Sequence, residues 1–295
     1  MIRLFPLLFL LLWSSAFVSS KFIVQDASPF LSLAVRFIIV SAGFWIVCLI
    51  QRSRLRAPAS DISFALATGV LFHGIYLGGV FYAQSRGMTA GLSSLIVSLQ
   101  PVLTAALAGP LLSERLNLTG WAGIILGFCG AVMVLGIDTG DALPLIAYGA
   151  VLASLLAVTT GTLWTKASTQ TLSLTATNFY QAVGGSLFHL LVMVLIEDIF
   201  FYPTTELMLS MAWQICAVSF GAFSLLMYLI KTGSASQTAA LFFLVPPVSA
   251  LMAFIILSER LDLSDITGFA VASFGVYLAT RPQNRLDSSA AEQKE

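Results

Sequence analysis

The feature that most constrains this chain is a repeat of its own sequence at a fixed offset of 145 residues. Twelve residues of the segment 99–130 recur, without a gap, in the segment 244–275. In the first copy they are Leu99, Pro101, Ala105, Ala108, Leu112, Ser113, Glu114, Arg115, Leu116, Leu118, Gly123 and Gly130. The same offset aligns Lys21 with Lys166. In membrane proteins, a repeat of this length is typical of two structural halves that enclose a shared pathway.

The composition is typical of an integral membrane protein. Hydrophobic residues make up 58% of the sequence and charged residues 9%, whereas about a quarter of an ordinary soluble domain is charged. The formal net charge is zero and no basic tract is long enough to follow phosphates, which argues against a nucleic-acid partner. The dispersed cysteines, Cys48, Cys129 and Cys216, fit neither a disulfide framework nor a metal site.

Apolar windows of about 20 residues, long enough to cross a bilayer as a helix, predict an all-α membrane protein with ten spans. The windows are 4–22, 29–50, 62–82, 88–110, 118–137, 142–164, 173–195, 207–229, 233–256 and 263–280. The first half covers residues 1–138, the second covers 142–280, and 281–295 is expected to be a disordered tail. The first window could be read as a cleaved signal peptide, but its repeat counterpart favours retention as a span.

The distribution of positive charge predicts the orientation of the spans. With the N-terminus in the cytoplasm, ten Lys and Arg residues fall inside and three outside. The inside residues are Arg3, Arg52, Arg54, Arg56, Arg115, Lys166, Lys231, Arg281, Arg285 and Lys294, and the outside residues are Lys21, Arg86 and Arg260. Both ends are therefore expected in the cytoplasm. Because five spans per half is an odd number, the second half is predicted to be inverted relative to the first, as alternating access requires.

Motifs at equivalent places in the two halves carry a resemblance to a known family. Each half closes with Pro-x-x-x-Ala and then Ser-Glu-Arg-Leu, within 101–116 and within 246–261. The opening Trp-Ser-Ser-Ala-Phe at 13–17 and the Arg-Phe pair at 36–37 fit the pattern of the first half. Over nearly its whole length, the chain resembles the EamA family of the drug/metabolite transporter superfamily.

The resemblance implies a basket of inverted helices in which spans 1, 3, 4, 6, 8 and 9 surround a central cavity. Members of the family move amino acids, other metabolites or drugs, and some export aromatic and other neutral amino acids. The resemblance therefore implies a small-molecule substrate and favours export of a neutral or zwitterionic metabolite.

Arg36 is the one charged residue well inside a predicted span. If the second helix begins near Pro29, seven residues place Arg36 about 10 Å below the outer boundary. A charge at the centre of a transmembrane helix costs about 2.5–3.5 kcal/mol on insertion scales. Two interpretations stay open: Arg36 anchors a substrate carboxylate, or it snorkels or bonds within its helix and fixes the second span.

Aromatic and uncharged polar side chains on the expected cavity helices are typical of a small-molecule site. The candidate cavity residues are Trp13, Ser14, His73, Tyr76, Ser94, Ser98, Thr160, Trp164, Phe220, Phe223 and Gln237. His73 and Tyr76 share one helix face. An unperturbed histidine titrates near pH 6.5, which would suit proton coupling, and the alternative for His73 is a neutral hydrogen-bonding group. Each serine or threonine could instead hold helices together.

Pro101 and Pro246 lie within helices at repeat-equivalent positions and are candidate hinges. Proline removes a backbone donor and kinks a helix, and matched helix breaks in transporters often flank the binding site. A static kink is the alternative interpretation for both residues.

No motif in the sequence supports catalysis, a cofactor or a metal site: there is no phosphate loop, nucleophile elbow or metal-ligand cluster. We therefore predict a secondary transporter, not an enzyme, in a bacterial inner membrane. It is expected as a monomer or a weak homodimer, and the Gly123-x-x-x-Gly127 motif is a close-packing surface that serves either within the chain or in a dimer. The alternatives are an intramembrane lipid-modifying enzyme with Arg36 on a headgroup, and a multidrug or other metabolite carrier of the same fold.

Overall fold

The computed structural model describes residues 4–88, 90–112, 117–135, 144–169, 171–233, 235–257 and 263–280. Within these ranges the secondary structure is helical, apart from an isolated β-bridge between Ala27 and Phe201. The helices are α1 (Phe5–Asp26), α2 (Pro29–Ile50), α3 (Ala59–Ser85), α4 (Ala90–Val97), α5 (Gln100–Leu112), α6 (Leu118–Leu135), α7 (Leu145–Ala167), α8 (Leu174–Ile196), α9 (Thr205–Thr232), α10 (Ala235–Ala240), α11 (Val245–Leu257) and α12 (Leu263–Thr280). The predicted all-α class is confirmed for this part of the chain. Both Ser-Glu-Arg-Leu motifs and the predicted tail 281–295 lie outside the described residues.

Six of the helices, α1, α2, α3, α7, α8 and α9, are long and apolar enough to cross a membrane. They correspond to the first three predicted spans of each half. Large apolar side chains stay exposed on their outer faces, among them Ile38, Ile46 and Ile50 of α2, as expected of a surface that faces lipid. In the other four predicted spans the helices are shorter or interrupted, so the count of ten spans stays a prediction.

Helices α3 and α9 each contain a π-helical segment, Val70–Leu77 and Gln214–Ala222. Residues 70 and 77 align with residues 215 and 222 at the repeat offset of 145, so the two segments occupy equivalent places. π-Helical segments are rare and are often found at functional sites. The two halves therefore share a π-helical segment at the same place as well as their repeated residues.

Helix breaks also recur next to the two repeated prolines. Helix α4 ends at Val97, and α5 begins at Gln100, one residue before Pro101. In the second half, a 3₁₀ turn at Leu241–Leu244 joins α10 to α11 and ends two residues before Pro246. A proline has no N–H to continue the helical hydrogen bonds on its N-terminal side. A role of these breaks as hinges stays a prediction.

Repeat-related helices α6 and α12 pack against each other in antiparallel fashion. A methyl group added at Gly123 would lie 2.6 Å from the Gly275 carbonyl oxygen, and one added at Gly130 would lie 2.6 Å from the Gly268 oxygen. Gly268 and Gly275 are the repeat counterparts of Gly123 and Gly130. The contact is therefore reciprocal, as a two-fold axis between the helices would produce, and these glycines pack within the chain.

Helices α2 and α8, also repeat-related, form a second antiparallel pair. At one end, the backbone N–H groups of Phe30 and Leu31 donate to the Glu197 carboxylate at 2.7 and 2.8 Å. At the other end, the Thr175 hydroxyl donates to the Gln51 side-chain oxygen at 2.9 Å. Helix α1 packs on α9, and α3 packs reciprocally on α7. This arrangement brings α1, α2, α3 and α9 around one space.

Two side-chain clasps hold opposite ends of the bundle. At the first, the Thr204 hydroxyl donates to the Asp26 carboxylate at 2.5 Å. At the second, Thr171 donates to the Asp61 carboxylate through its backbone N–H at 3.0 Å and its hydroxyl at 2.5 Å. Asp26 and Thr171 are repeat counterparts. Both ends are therefore held by a threonine-to-aspartate hydrogen bond. The first half supplies the carboxylate at both ends, and the second half supplies the hydroxyl.

Candidate substrate cavity

A cavity lies between α1, α2, α3 and α9. The empty space between its lining residues is about 510 Å³, open space at its mouth included. Aromatic and aliphatic side chains form most of the wall. The polar lining is Ser20, Arg36, His73, Tyr76, Gln214 and Ser219.

Arg36 is the central charged group of this cavity and is only 3% exposed. Its Nε donates to the Ser219 hydroxyl at 2.9 Å, and its Nη1 donates to the Gln214 side-chain oxygen at 2.5 Å. The guanidinium carbon also lies 5.1 Å from the centre of the Phe37 ring. Arg36 therefore joins α2 to α9 through neutral partners instead of snorkelling to the membrane surface.

The π-helical segment of α9 explains why two side chains five residues apart reach the same guanidinium. In a regular α-helix, neighbours on one face are three or four residues apart. A π-helix closes hydrogen bonds from residue i to i+5, so Gln214 and Ser219 come onto one face. The π-helical backbone thus places both hydrogen-bond partners of Arg36 on the face of α9 that it contacts.

A further layer of hydrogen bonds fixes the orientation of Gln214. Its Nε2 donates to the Ala16 carbonyl oxygen and to the Ser19 hydroxyl, both at 2.9 Å. The amide nitrogen is thereby directed to α1, which leaves the amide oxygen facing Arg36. Helices α1, α2 and α9 are connected through this one buried side chain.

Aromatic rings surround the rest of the cavity. The His73 ring packs between Phe37 and Phe223, with ring centres 4.4 and 4.1 Å away. The Tyr76 ring is parallel to that of Trp13 at 6.3 Å. Flat apolar walls of this kind suit a flat or branched apolar ligand.

Five of the sequence-predicted site residues line this cavity together: Trp13, Arg36, His73, Tyr76 and Phe223. They come from α1, α2, α3 and α9, which correspond to spans 1, 2, 3 and 8. Span 2 was not among the cavity helices that the family resemblance implied. It lines this cavity, whereas no described residue of spans 4, 6 and 9 is in the lining.

Other predicted residues lie elsewhere in the fold. The Ser14 hydroxyl donates to the Val245 carbonyl oxygen at 3.4 Å and so contacts α11. Ser94 and Ser98 are buried outside the cavity lining. Thr160 is exposed on α7.

Two aromatic candidates and one amide complete the predicted set. Trp164 is 42% exposed and packs edge-on against Phe64 at 4.9 Å. Phe220 packs against Phe44, with ring centres 4.7 Å apart, instead of lining the cavity. The side chain of Gln237 lies outside the described part of the structure.

Gln214 and Ser219, the two partners of Arg36, were not among the site residues predicted from the sequence. Gln214 is the only amide side chain in the predicted span 207–229, and this signal could have marked it. In a regular α-helix Phe220 and Phe223, three residues apart, would share one face. Because Phe220 lies in the π-helical segment, the register changes before Phe223, and the two rings point to different surroundings.

Comparisons with known proteins agree with this architecture. The model of the EamA-like transporter family matches residues 2–136 and again residues 145–281. An uncharacterized transporter of Synechocystis is 26% identical, over 90% of this chain and 86% of its own length. The uncharacterized inner membrane transporter YedA of Escherichia coli is 22% identical, over 95% of this chain and 91% of its own. One solved crystal structure has the same fold, with a TM-score of 0.79 and 20% identity over 100% of this chain and 98% of that one. Since the family model matches both halves, the chain belongs to the EamA-like transporter family.

Proposed function

We propose that this protein is a secondary carrier that moves a small neutral or zwitterionic metabolite across a membrane by alternating access. The observation that carries the proposal is the reciprocal antiparallel packing of repeat-related helices, α2 on α8 and α6 on α12, beside a buried cavity. Two inverted halves provide two related arrangements of one chain, each of which opens the same site to one side. A channel would not need this pairing.

The cavity is the best-supported site for the transported molecule. It lies at the middle of long apolar helices, and both π-helical segments contribute side chains to it. Its lining combines apolar and aromatic walls with a few polar groups, as small-molecule sites do. His73 on one of these segments stays the candidate for proton coupling, and Pro101 and Pro246 stay the candidate hinges.

We place the carrier in a bacterial inner membrane with both ends in the cytoplasm, and we propose export as its direction. The charge distribution of the loops supports this orientation, and a relative, YedA, is named an inner membrane transporter. In this orientation the Asp26 clasp lies at the outer end of the bundle and the Asp61 clasp lies at the inner end.

Counterflow in proteoliposomes tests the proposal. Vesicles that contain the purified full chain are loaded with one unlabelled compound from a panel of neutral amino acids and small carboxylates. If the protein is a carrier, loaded vesicles take up the same labelled compound faster than unloaded vesicles do. The rate of uptake then saturates as the external concentration of that compound rises. A pH gradient added in a second series tests proton coupling. Flux that rises linearly with concentration, without stimulation by the loaded compound, would contradict a carrier.

A matched pair of variants links the flux to the cavity. Tyr76→Ala removes a ring that lines the cavity and is expected to slow counterflow. Phe274→Ala removes a ring that is 55% exposed on α12 and is expected to leave counterflow unchanged. Equal effects of both variants on counterflow would contradict a role of this cavity in transport.

A further inference from the structure

We infer that the cavity binds an organic monoanion, a carboxylate attached to an apolar or aromatic body, and that Arg36 binds this carboxylate. The inference rests on the proposed carrier function and replaces the neutral or zwitterionic substrate proposed there with an anion. Arg36 is 3% exposed, yet no acidic residue is among the described residues that line the cavity. A buried charge without a counter-ion is strongly destabilising, so an anionic ligand would supply what the protein lacks.

The guanidinium retains donors for a ligand after its contacts within the protein are made. A guanidinium has five N–H donors, and Arg36 uses one on Nε and one on Nη1 for described partners. A carboxylate accepts two parallel N–H groups from arginine, which is the strongest common form of such a hydrogen bond. Three N–H donors of Arg36, one on Nη1 and two on Nη2, therefore have no partner among the described residues, and bidentate binding of a carboxylate needs two.

The partners of Arg36 are neutral, and this makes an exchange with a ligand feasible. Gln214 and Ser219 satisfy part of the guanidinium without forming an ion pair. A carboxylate ligand does not have to displace a protein carboxylate, so its binding is reversible as transport requires. Gln214 keeps its two bonds to α1 while the ligand comes and goes.

The same cavity is poorly suited to a ligand that also carries an ammonium group. An ammonium would meet ring faces and the neutral oxygens of Ser20, Tyr76 and Ser219, and no carboxylate among the described lining. Cation–π contacts compensate only part of the desolvation of a buried charge. We therefore expect the anion to bind more tightly than the amino acid that has the same body.

The wall of the cavity selects the body of the ligand. Trp13 and Tyr76 present parallel rings, and Phe72 and Phe223 meet edge to face with ring centres 5.7 Å apart. Apolar surface that is buried between such rings contributes to binding in proportion to its area. A phenyl or branched aliphatic group attached to one carboxylate matches both parts of the site.

A matched set of four probes tests the inference on the full-length protein in detergent. The probes are 3-phenylpropanoate, 3-phenylpropanamide, 2-phenylethylamine and phenylalanine, which share a phenyl body but are an anion, a neutral amide, a cation and a zwitterion. The pair 4-methylpentanoate and 4-methylpentanamide repeats the comparison with an aliphatic body. Isothermal titration is expected to give an affinity for 3-phenylpropanoate about 10-fold higher than for phenylalanine.

Variants assign the effect to Arg36. Arg36→Gln is expected to lose about 100-fold in affinity for either carboxylate, as expected when one partner of a buried ion pair is removed, with no change for the amides. Arg36→Lys should retain part of the affinity, since it keeps the charge but loses the bidentate fork. Arg86→Gln is the control, because Arg86 stacks on the Tyr82 ring outside the cavity. The unchanged amide affinity keeps the test valid if a variant is less stable.

The outcomes separate this inference from the carrier proposal. Carboxylate binding that depends on Arg36, together with saturable counterflow of the same compound, supports both. Carboxylate binding without counterflow supports the site and overturns the carrier. Counterflow of phenylalanine or an amide, with no preference for the carboxylates, overturns the inference and leaves the carrier standing. Binding of neither carboxylate overturns the inference.

Discussion

The cavity, where α2 faces α9, and the repeat-equivalent place, where α8 faces α3, use equivalent helix positions in very different ways. At the cavity, Arg36 of α2 faces Gln214, Ser219 and Phe223 of α9. At the offset of 145, these positions correspond to Gln181 of α8 and to Gly69, Gly74 and Gly78 of α3. A charged group and three side chains on one side are thus replaced by an amide and three glycines on the other.

The glycines allow α3 to approach α8 much more closely than α9 approaches α2. A methyl group added at Gly69 would lie 2.2 Å from the Gln181 carbonyl oxygen, and one at Gly74 would lie 2.8 Å from the Phe188 ring. The second site is therefore filled by the protein itself. The duplication preserves the scaffold, whereas only one of the two repeat-related places carries the charged and polar side chains of the cavity among the described residues.

We call the filled place between α3 and α8 the closed side. The largest loss of stability is expected there, because its close packing requires glycines without side chains. Gly69→Ala would place a Cβ against the backbone of Gln181, which cannot rotate away. Overpacking of this kind costs about 3 kcal/mol, so the thermal unfolding midpoint of the protein in detergent should fall markedly.

Gly149→Ala, in the other half of the chain, is the matched control. A Cβ at Gly149 on α7 would meet no atom within 4 Å, and alanine is favoured over glycine inside a helix by about 1 kcal/mol. Its midpoint should stay the same or rise. Equal midpoints for the Gly69 and Gly149 variants would contradict the close contact of α3 with α8.

A smaller effect should distinguish the two buried glutamines. Gln214→Leu removes the acceptor from Arg36 Nη1 and two hydrogen bonds to α1. Hydrogen bonds to charged groups contribute about 1.5–3 kcal/mol, and the unpaired donor adds a desolvation cost. We expect a loss of about 2 kcal/mol in the free energy of unfolding, measured by denaturant titration.

Gln181→Leu tests the buried glutamine between α8 and α3, which is the repeat counterpart of Arg36. Gln181 donates to the Thr68 hydroxyl at 3.0 Å, and its Oε1 has no partner among the described residues. The Thr68 hydroxyl keeps its own bond to the Phe64 carbonyl oxygen, so the loss should be about 0.5 kcal/mol. A larger loss for Gln181→Leu than for Gln214→Leu would reverse the proposed difference between the two sides.

The fold was largely predictable because its signals are local. The window 29–50 coincides with α2, whose start is set by Pro29 at the first helical turn, where proline needs no donor. The repeated prolines likewise predicted the interruptions before Pro101 and Pro246. Apolar length, proline position and repeat offset are all properties that a single sequence carries.

The site was only partly predictable, since its geometry depends on the backbone form and on tertiary contacts. The apolar composition of α9 does not distinguish its π-helical segment from α-helix, so the different positions of Phe220 and Phe223 could not be read from spacing. The partners of Arg36 lie 178 and 183 residues away in the sequence. Such a pairing follows from the antiparallel packing of the halves, which no local pattern specifies.

The two clasps provide a comparison at the ends of the bundle. Thr204→Val removes the bond to Asp26 and also the cap of α9, because the Thr204 hydroxyl accepts from the Leu207 N–H at 3.1 Å. Loss of an N-cap costs about 1 kcal/mol. Thr171→Val keeps its backbone bond to Asp61 and should cost about 0.5 kcal/mol. Equal unfolding free energies of the two variants would show that the cap of α9 adds nothing to that clasp.

The smallest expected effect is the pH dependence that Glu197 adds at the Asp26 end. Glu197 accepts the N–H groups of Phe30 and Leu31 there, whereas its repeat counterpart at the other end is Arg52. Burial raises the pKa of Glu197 above its usual value, and the two N–H donors only partly oppose this rise. Because the folded state then binds the proton more tightly than the unfolded state, this contribution is complete below about pH 4.3, the usual pKa of glutamate. It is lost as the pH rises through the folded pKa.

Lowering the pH from 7 to 5 should therefore raise the unfolding midpoint of the wild type more than that of Glu197→Gln, which does not titrate. The carboxylate is half-buried, so solvent screening keeps the difference small. A difference of the opposite sign would mean that the two N–H donors at the start of α2 stabilise the ionised carboxylate more than burial destabilises it. In that case acidification would weaken the Asp26 end of the bundle while leaving the Asp61 end, where Arg52 replaces the glutamate, unaffected by this group.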